Sequence, residues 1–137
     1  MIIVNLPSRT LGLSFRHSDV DVIVPLTPKE RKLFIPPHIR KTRGTYCEIY
    51  DVILNPEKGV KNAKWICEGS AVVGVGDQFR KAEGRKRALT RALNQLKPPV
   101  HGEMRSVSSI ILGKHDRTKI WQVYHDRAKP LPTQDLP

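Results

Sequence analysis

The stretch from 76 to 97, GDQFRKAEGRKRALTRALNQLK, constrains what this chain can fold into more than any other. A helix turns about 100° per residue, which places Ala88, Leu89, Ala92, Leu93 and Leu96 on a single apolar stripe. Pro98 and Pro99 cannot continue a helix, and Asp77 is a suitable N-cap, so the pattern has both a start and a stop. The segments before it follow a different period. Residues 11–17 and 19–25 alternate, with Val20, Val22 and Val24 sharing a face, and each reads as a strand. Residues 45–54, TYCEIYDVIL, form the clearest strand, and Asn55 to Gly59 is a turn by composition. Residues 64–75 read as one long strand or two short ones, where Gly69 and Gly74 mark a bulge or a close backbone approach.

Behind the prolines, residues 100–115 are loop-like, with an apolar trio at Ile110 to Leu112. A second helix is expected over 116–127, opening on an Asp116 cap, with Ile120, Trp121, Val123 and Tyr124 facing inward. Strands first and helices last is an α+β order. The expected fold is a small antiparallel sheet followed by two C-terminal helices near 78–96 and 116–127, in one domain spanning 1–129. The polar, proline-rich end at 130–137 is expected to be disordered.

A proline-rich basic insertion interrupts the strands. From Pro25 to Arg43 there are four prolines and six cations (Lys29, Arg31, Lys32, Arg40, Lys41, Arg43) against a single acid, Glu30. Such a segment cannot fill a core. It reads as an exposed arm with one helical turn around Lys29 to Phe34, contacting a partner or a second subunit.

The whole chain of 137 residues carries 24 Lys and Arg against 13 Asp and Glu, a formal charge of +11. A surplus of that size, clustered, raises the local concentration of anions and speeds their association. No stretch approaches the roughly 20 apolar residues of a membrane span, and the apolar run within Met1 to Leu13 lacks the layout of a signal peptide. Cys47 and Cys67 read as reduced, buried thiols of a reducing cytosol. His17, His38, His101, His115 and His125 lie far apart, and no C-x-x-C is present, so no metal pattern and no cofactor motif is legible. Nor is a carboxylate pair or a Ser-His-Asp or Cys-His set visible in local spacing, and Gly74 to Asp77 lacks the lysine and hydroxyl of a phosphate loop. The expectation is a binding protein, not an enzyme.

Arg85 falls near the middle of the apolar stripe, one turn before Ala88. A guanidinium keeps its charge and needs an acceptor there. That acceptor is either an internal carboxylate (Asp77, Glu48 or Asp51) or a phosphate or carboxylate of a ligand. Lys86, Arg87 and Arg91 fall to the sides. On the second helix Arg127 falls within the stripe of Ile120, Trp121 and Tyr124, where it either snorkels along Tyr124 or meets a ligand. Phe79 either packs in the core or stacks on a base. The candidate ligand-binding residues are Phe79, Arg85, Arg91, Arg127, Arg40 and Arg43.

Two resemblances accompany these residues. The run GRKRALTRAL, following strands, resembles the end of a double-stranded RNA-binding domain, where a basic helix N-terminus meets phosphates. Here it carries Arg85-Lys86-Arg87-Ala88 in place of a Lys-Lys-x-Ala-Lys pattern. The blocks SFRH (14–17), TRGTYCEIYDV (42–52), DQFRKAEGRKRALTRAL (77–93) and RTKIWQVYHDR (117–127) resemble the phage sponges that sequester cyclic ADP-ribose signals and so block Thoeris defence. That resemblance implies an antiparallel sheet packed with two C-terminal helices, and ligands between subunits of a homo-oligomer in the host cytoplasm. It also implies arginines and a stacking aromatic as ligand holders, and Phe79, Arg85 and Arg127 match block positions. The preferred partner on this reading is an anionic small nucleotide signal, with nucleic acid, through a module that inhibits a host nuclease, as the alternative.

Overall fold

The computed structural model describes residues 1–74, 77–99 and 110–128. In chain order it contains β1 (Ile2–Asn5), β2 (Thr10–Val24), α1 (Pro28–Lys32), β3 (His38–Asn55), β4 (Gly59–Val72), α2 (Lys81–Asn94) and α3 (Lys114–Ala128). The strands form one antiparallel sheet in the order β1-β2-β3-β4, and the two longer helices follow it, so the fold is α+β.

Several boundaries differ from the sequence expectation, each for a local reason. The N-terminal apolar run is a strand, β1, because Val4 is buried opposite Leu11 in a register that runs from Ile2↔Leu13 to Asn5↔Thr10. The two alternating segments at 11–17 and 19–25 belong to one strand, β2, which runs through Ser18 and ends at Val24 before the proline. The expected arm at 25–43 is only partly a loop: His38 to Arg43 belong to β3, which starts immediately after the proline pair. The helical turn within it is α1, whose N-cap Thr27 and Glu30 form a reciprocal capping box. Asp77 does not cap α2; its N–H bonds the Gly74 carbonyl in a turn, and the helix begins four residues later. Likewise α3 starts before Asp116, with the Gly113 carbonyl accepting from Arg117 N–H at 3.1 Å. The expectations for 100–109, and for the end at 130–137, lie outside the described residues.

The described residues group into two compact units. Unit 1 holds Met1–Ser14, Glu48–Cys67 and the described residues from Leu93 onward; unit 2 holds Phe15–Cys47 and Glu68–Ala92. Unit 1 has a bulky core in which Val4, Leu11, Leu13, Ile49, Leu93, Leu96, Leu112, Ile120 and Tyr124 are buried, and α3 packs against β1. Trp121 meets the Tyr124 ring edge-on at 5.8 Å, an arrangement aromatic pairs favour.

Unit 2 is built from small residues. Its buried members are Thr45, Cys47, Ala71, Ala88, Leu89 and Ala92. Gly69 on β4 faces α2 so closely that a Cβ there would collide with the Ala88 carbonyl and the Ala92 backbone. The close approach expected at Gly69 is therefore real, and it seats α2 directly on the sheet. Gly84 on α2 does the same from the helix side: a Cβ there would meet the Thr45 hydroxyl. The apolar stripe read from the sequence is the buried face of α2, since Ala88, Leu89, Ala92, Leu93 and Leu96 are all inside.

Candidate phosphate-binding site

The close seating of α2 brings side chains from three elements together in unit 2. β2 supplies His17, β3 supplies Arg43 and Thr45, and the segment before α2 supplies Phe79; the first turns of α2 add Lys81 and Arg85. Thr45 is completely buried, and its hydroxyl meets His17 Nδ1 at 2.9 Å, which satisfies both groups. The His17 ring stands edge-on to Phe79 with centroids 5.5 Å apart. The Arg43 guanidinium lies over the Phe79 ring at 5.3 Å. Arg43 also lies 4.0 Å from Asp19, but both side chains are solvent-exposed, so that pair is weak.

The electrostatics of this cluster are one-sided. The pKa of His17 is lowered, first by burial and then by the positive charges of Arg85, Lys81 and Arg43. The imidazole is therefore held towards its neutral form amid three converging cations. Among the described residues no carboxylate lies within salt-bridge distance of Lys81 or Arg85. The internal pairing weighed for Arg85 does not occur among them. Arg85 is half-buried, and among the described residues its charge has no carboxylate partner. An anion entering here would relieve repulsion among the cations and gain charge-assisted hydrogen bonds.

Arg43, Phe79 and Arg85, expected as site residues, thus come together. Lys41 lies two residues before Arg43 on the same face of β3, and Arg40 lies on the opposite face, because strand side chains alternate. Both are exposed. Arg91 is exposed too, but its guanidinium donates to the Ser70 carbonyl at 2.6 Å and ties α2 to β4. Arg127, expected within the stripe of α3, is exposed and belongs to unit 1. Sequence reasoning missed His17, Thr45 and Lys81. His17 and Lys81 sit inside the quoted blocks, but only the pairing of β2 with β3 and the seating of α2 reveal that they face one another.

Beside the cluster is a cleft of about 320 Å³ between the end of β4, the turn at Asp77 and α2, lined in part by Gln78, Arg80, Gly84 and Arg87. Its walls come from the neighbouring face of α2, so Arg43, Lys81 and Arg85 do not line it. Arg87 there is engaged with Glu83 at 2.6 Å, which makes the cleft less electropositive than the open cluster.

Among the described residues no group of three or more His, Cys, Asp or Glu is placed to hold a metal ion, and no helix is long and apolar enough to cross a membrane. No protein-family model, curated protein or solved structure matches this chain.

Proposed function

We propose that this chain is a non-catalytic protein that binds nucleic acid through unit 2. The observation that carries the reading is the grouping of Arg43, Lys81 and Arg85 around His17 and Phe79, open to solvent and continued along the same face of β3 by Lys41. A cluster that continues beyond the reach of one phosphate suits a polyanion, and Phe79 offers a π-face beside it. The net charge of +11 supports the same partner by long-range attraction.

A second reading is favoured by the cleft of about 320 Å³, at the lower end of the volumes that take small ligands. In that reading a phage-type protein sequesters a phosphate-bearing nucleotide signal of the cyclic ADP-ribose type, countering host antiviral defence in the host cytoplasm. Ligands would lie between the subunits of a homo-oligomer, with Arg80 at the cleft wall.

Salt separates the two. Binding that engages about four duplex phosphates should weaken about 10²-fold between 50 and 200 mM salt, because each neutralised phosphate releases condensed counterions. Fluorescence anisotropy with labelled duplex and single-stranded oligonucleotides should show that steep loss, and Lys81→Ala/Arg85→Ala should flatten it. Tight calorimetric binding of a cyclic dinucleotide-type ligand that barely moves with salt, with no oligonucleotide binding, replaces this reading with the second.

A further inference from the structure

The outer end of the β2–β3 hairpin carries a feature that the phosphate cluster does not use. β4 ends at Val72, and the Val73 N–H bonds the Arg43 carbonyl at 2.9 Å. Among the described residues, His38 to Lys41 therefore have β2 as their only strand neighbour. The hairpin continues as a two-stranded ribbon closed by α1.

The closure is well made except at one residue. The capping box fixes the start of α1. At its end Phe34 N–H bonds the Arg31 carbonyl at 3.2 Å and Ile35 N–H bonds the Glu30 carbonyl at 3.3 Å, the paired hydrogen bonds of a Schellman ending. The residue after the C-cap in that ending takes a left-handed conformation, and glycine is the usual occupant. Here it is Phe34, with φ 55°. Phe34 is 93% exposed, and among the described residues no ring or cation partners it. A bulky aromatic thus stands at the tip of a ribbon, in a backbone conformation that a smaller residue would adopt more easily. Leu33, its neighbour in sequence, and Ile39, at the start of β3, are 62% and 69% exposed.

Charge says what such a tip fits. Lys29, Arg31 and Lys32 precede it in α1 and Arg40 and Lys41 follow it on β3, all exposed, and they outnumber the exposed Asp19 and Asp21 that β2 brings to the ribbon. The only acid in the segment, Glu30, is engaged internally: His38 Nε2 lies 2.9 Å away, and this hydrogen bond, with those of Thr27, lowers its pKa. Arg40 and Lys41 are consecutive in a strand and so point to opposite faces. An element that lies on a bilayer is charged on one face and apolar on the other. A ribbon with cations on both faces and an apolar tip fits a groove walled by two rows of phosphates.

We propose that the β2–β3 ribbon is a DNA-duplex element whose tip residue Phe34 wedges between base pairs from the minor groove, with Arg31, Lys32, Arg40 and Lys41 on the flanking phosphates. Apolar side chains used this way unstack a base step and bend the duplex. The inference rests on the nucleic-acid reading above and adds to it the form of the ligand and the role of Phe34.

The test uses the full chain and short DNA duplexes carrying a fluorescent purine analogue at a central TA step, which unstacks readily, with donor and acceptor dyes at the ends. Phe34→Asn removes the ring and keeps a residue that tolerates the left-handed backbone. Wild type should raise the analogue's fluorescence and bring the duplex ends closer. Phe34→Asn should melt like wild type and keep the same salt slope. It should bind about tenfold more weakly, the loss of one stacking contact, with no fluorescence rise. Duplex binding by wild type with no rise and no bending overturns the wedge while leaving the proposed function standing. Wild type that binds single strands but no duplex overturns the wedge alone, and wild type that binds neither removes both. Phe34-dependent binding to vesicles of anionic phospholipid, without duplex unstacking, makes the tip a membrane element and overturns the proposal.

Discussion

The two units of this molecule solve the same packing problem in opposite ways. Unit 1 fills its interior with large side chains: Leu11, Leu13, Ile49, Leu96, Leu112, Ile120 and Tyr124 are all buried, and α3 lies on β1. Unit 2 has few large side chains inside and instead lets backbones approach, through Gly69 against Ala88 and Ala92 and through Gly84 against Thr45. Unit 1 is therefore stabilised by apolar area. Unit 2 gains less from area, but it holds α2 so near the sheet that His17, Arg43, Phe79, Lys81 and Arg85 form one cluster. The difference teaches where the chemistry can be. A close backbone approach positions polar and charged side chains at its rim, whereas a thick aliphatic core has no such vacancies. The cost of unit 2's design is that it gathers like charges, which the exposed Asp19 beside Arg43 offsets only weakly.

The largest expected effect lies in unit 1. Ile120→Ala should leave a cavity beneath α3 and destabilise the protein by about 2–5 kcal/mol in chemical denaturation. A loss well under that range would mean that unit 1 collapses around the gap and its core is not close-packed. In unit 2 the damaging change is the opposite one, adding an atom. Gly69→Ala forces α2 away from β4 and should lose about 1–3 kcal/mol. It should also weaken oligonucleotide binding, because the cluster depends on the seating of α2. A neutral Gly69→Ala would erase the contrast between the units.

Removing a cluster charge should do little to the fold. Arg85→Ala is expected to change stability by no more than about 0.5 kcal/mol, since no described carboxylate is left behind. It should weaken binding across sequences and lower the salt slope by about 1. Severe destabilisation by Arg85→Ala would instead make the arginine a structural part of unit 2.

A smaller effect follows from His17. Its folded pKa is depressed below the ordinary 6.5, so the unfolded chain takes up the proton first as pH falls. The contribution of this residue to stability is complete above the unfolded value and is lost as pH drops from there through the folded value. Bound phosphate opposes the repulsion from Arg85, Lys81 and Arg43, so ligand should raise the His17 pKa and binding should take up a proton in that window. Imidazole resonances followed by NMR with and without oligonucleotide report both shifts; an unmoved His17 would place the phosphate elsewhere. The smallest expected response is that of Cys67, whose thiol burial pushes up to about 11, and which should resist thiol reagents at mildly alkaline pH in the folded protein.

The sequence by itself determined the α+β order, the buried stripe of α2 and the inward residues Ile120 and Tyr124 of α3, because these follow from the period of apolar residues along one element. It also determined the clustered positive charge, since a basic surplus is carried by composition whatever the fold. Gly69 was legible as a point of close approach, though not what approaches it. Element starts were less legible. Asp77 and Asp116 have cap chemistry, yet α2 begins after a turn that uses Asp77, and α3 begins at Lys114, with the Gly113 carbonyl accepting the first bond. Only the tertiary structure decided which cations meet. Arg43 and Arg85 are 42 positions apart by number and join His17 and Phe79 through strand pairing and the seating of α2, while Arg127 belongs to the other unit. Helical phase placed Arg85 at the apolar stripe, but whether a carboxylate awaited it there depended on residues distant in sequence. The conformation of Phe34 was likewise hidden, because a left-handed residue without glycine leaves no mark in the sequence until the hydrogen bonds of the helix end require it.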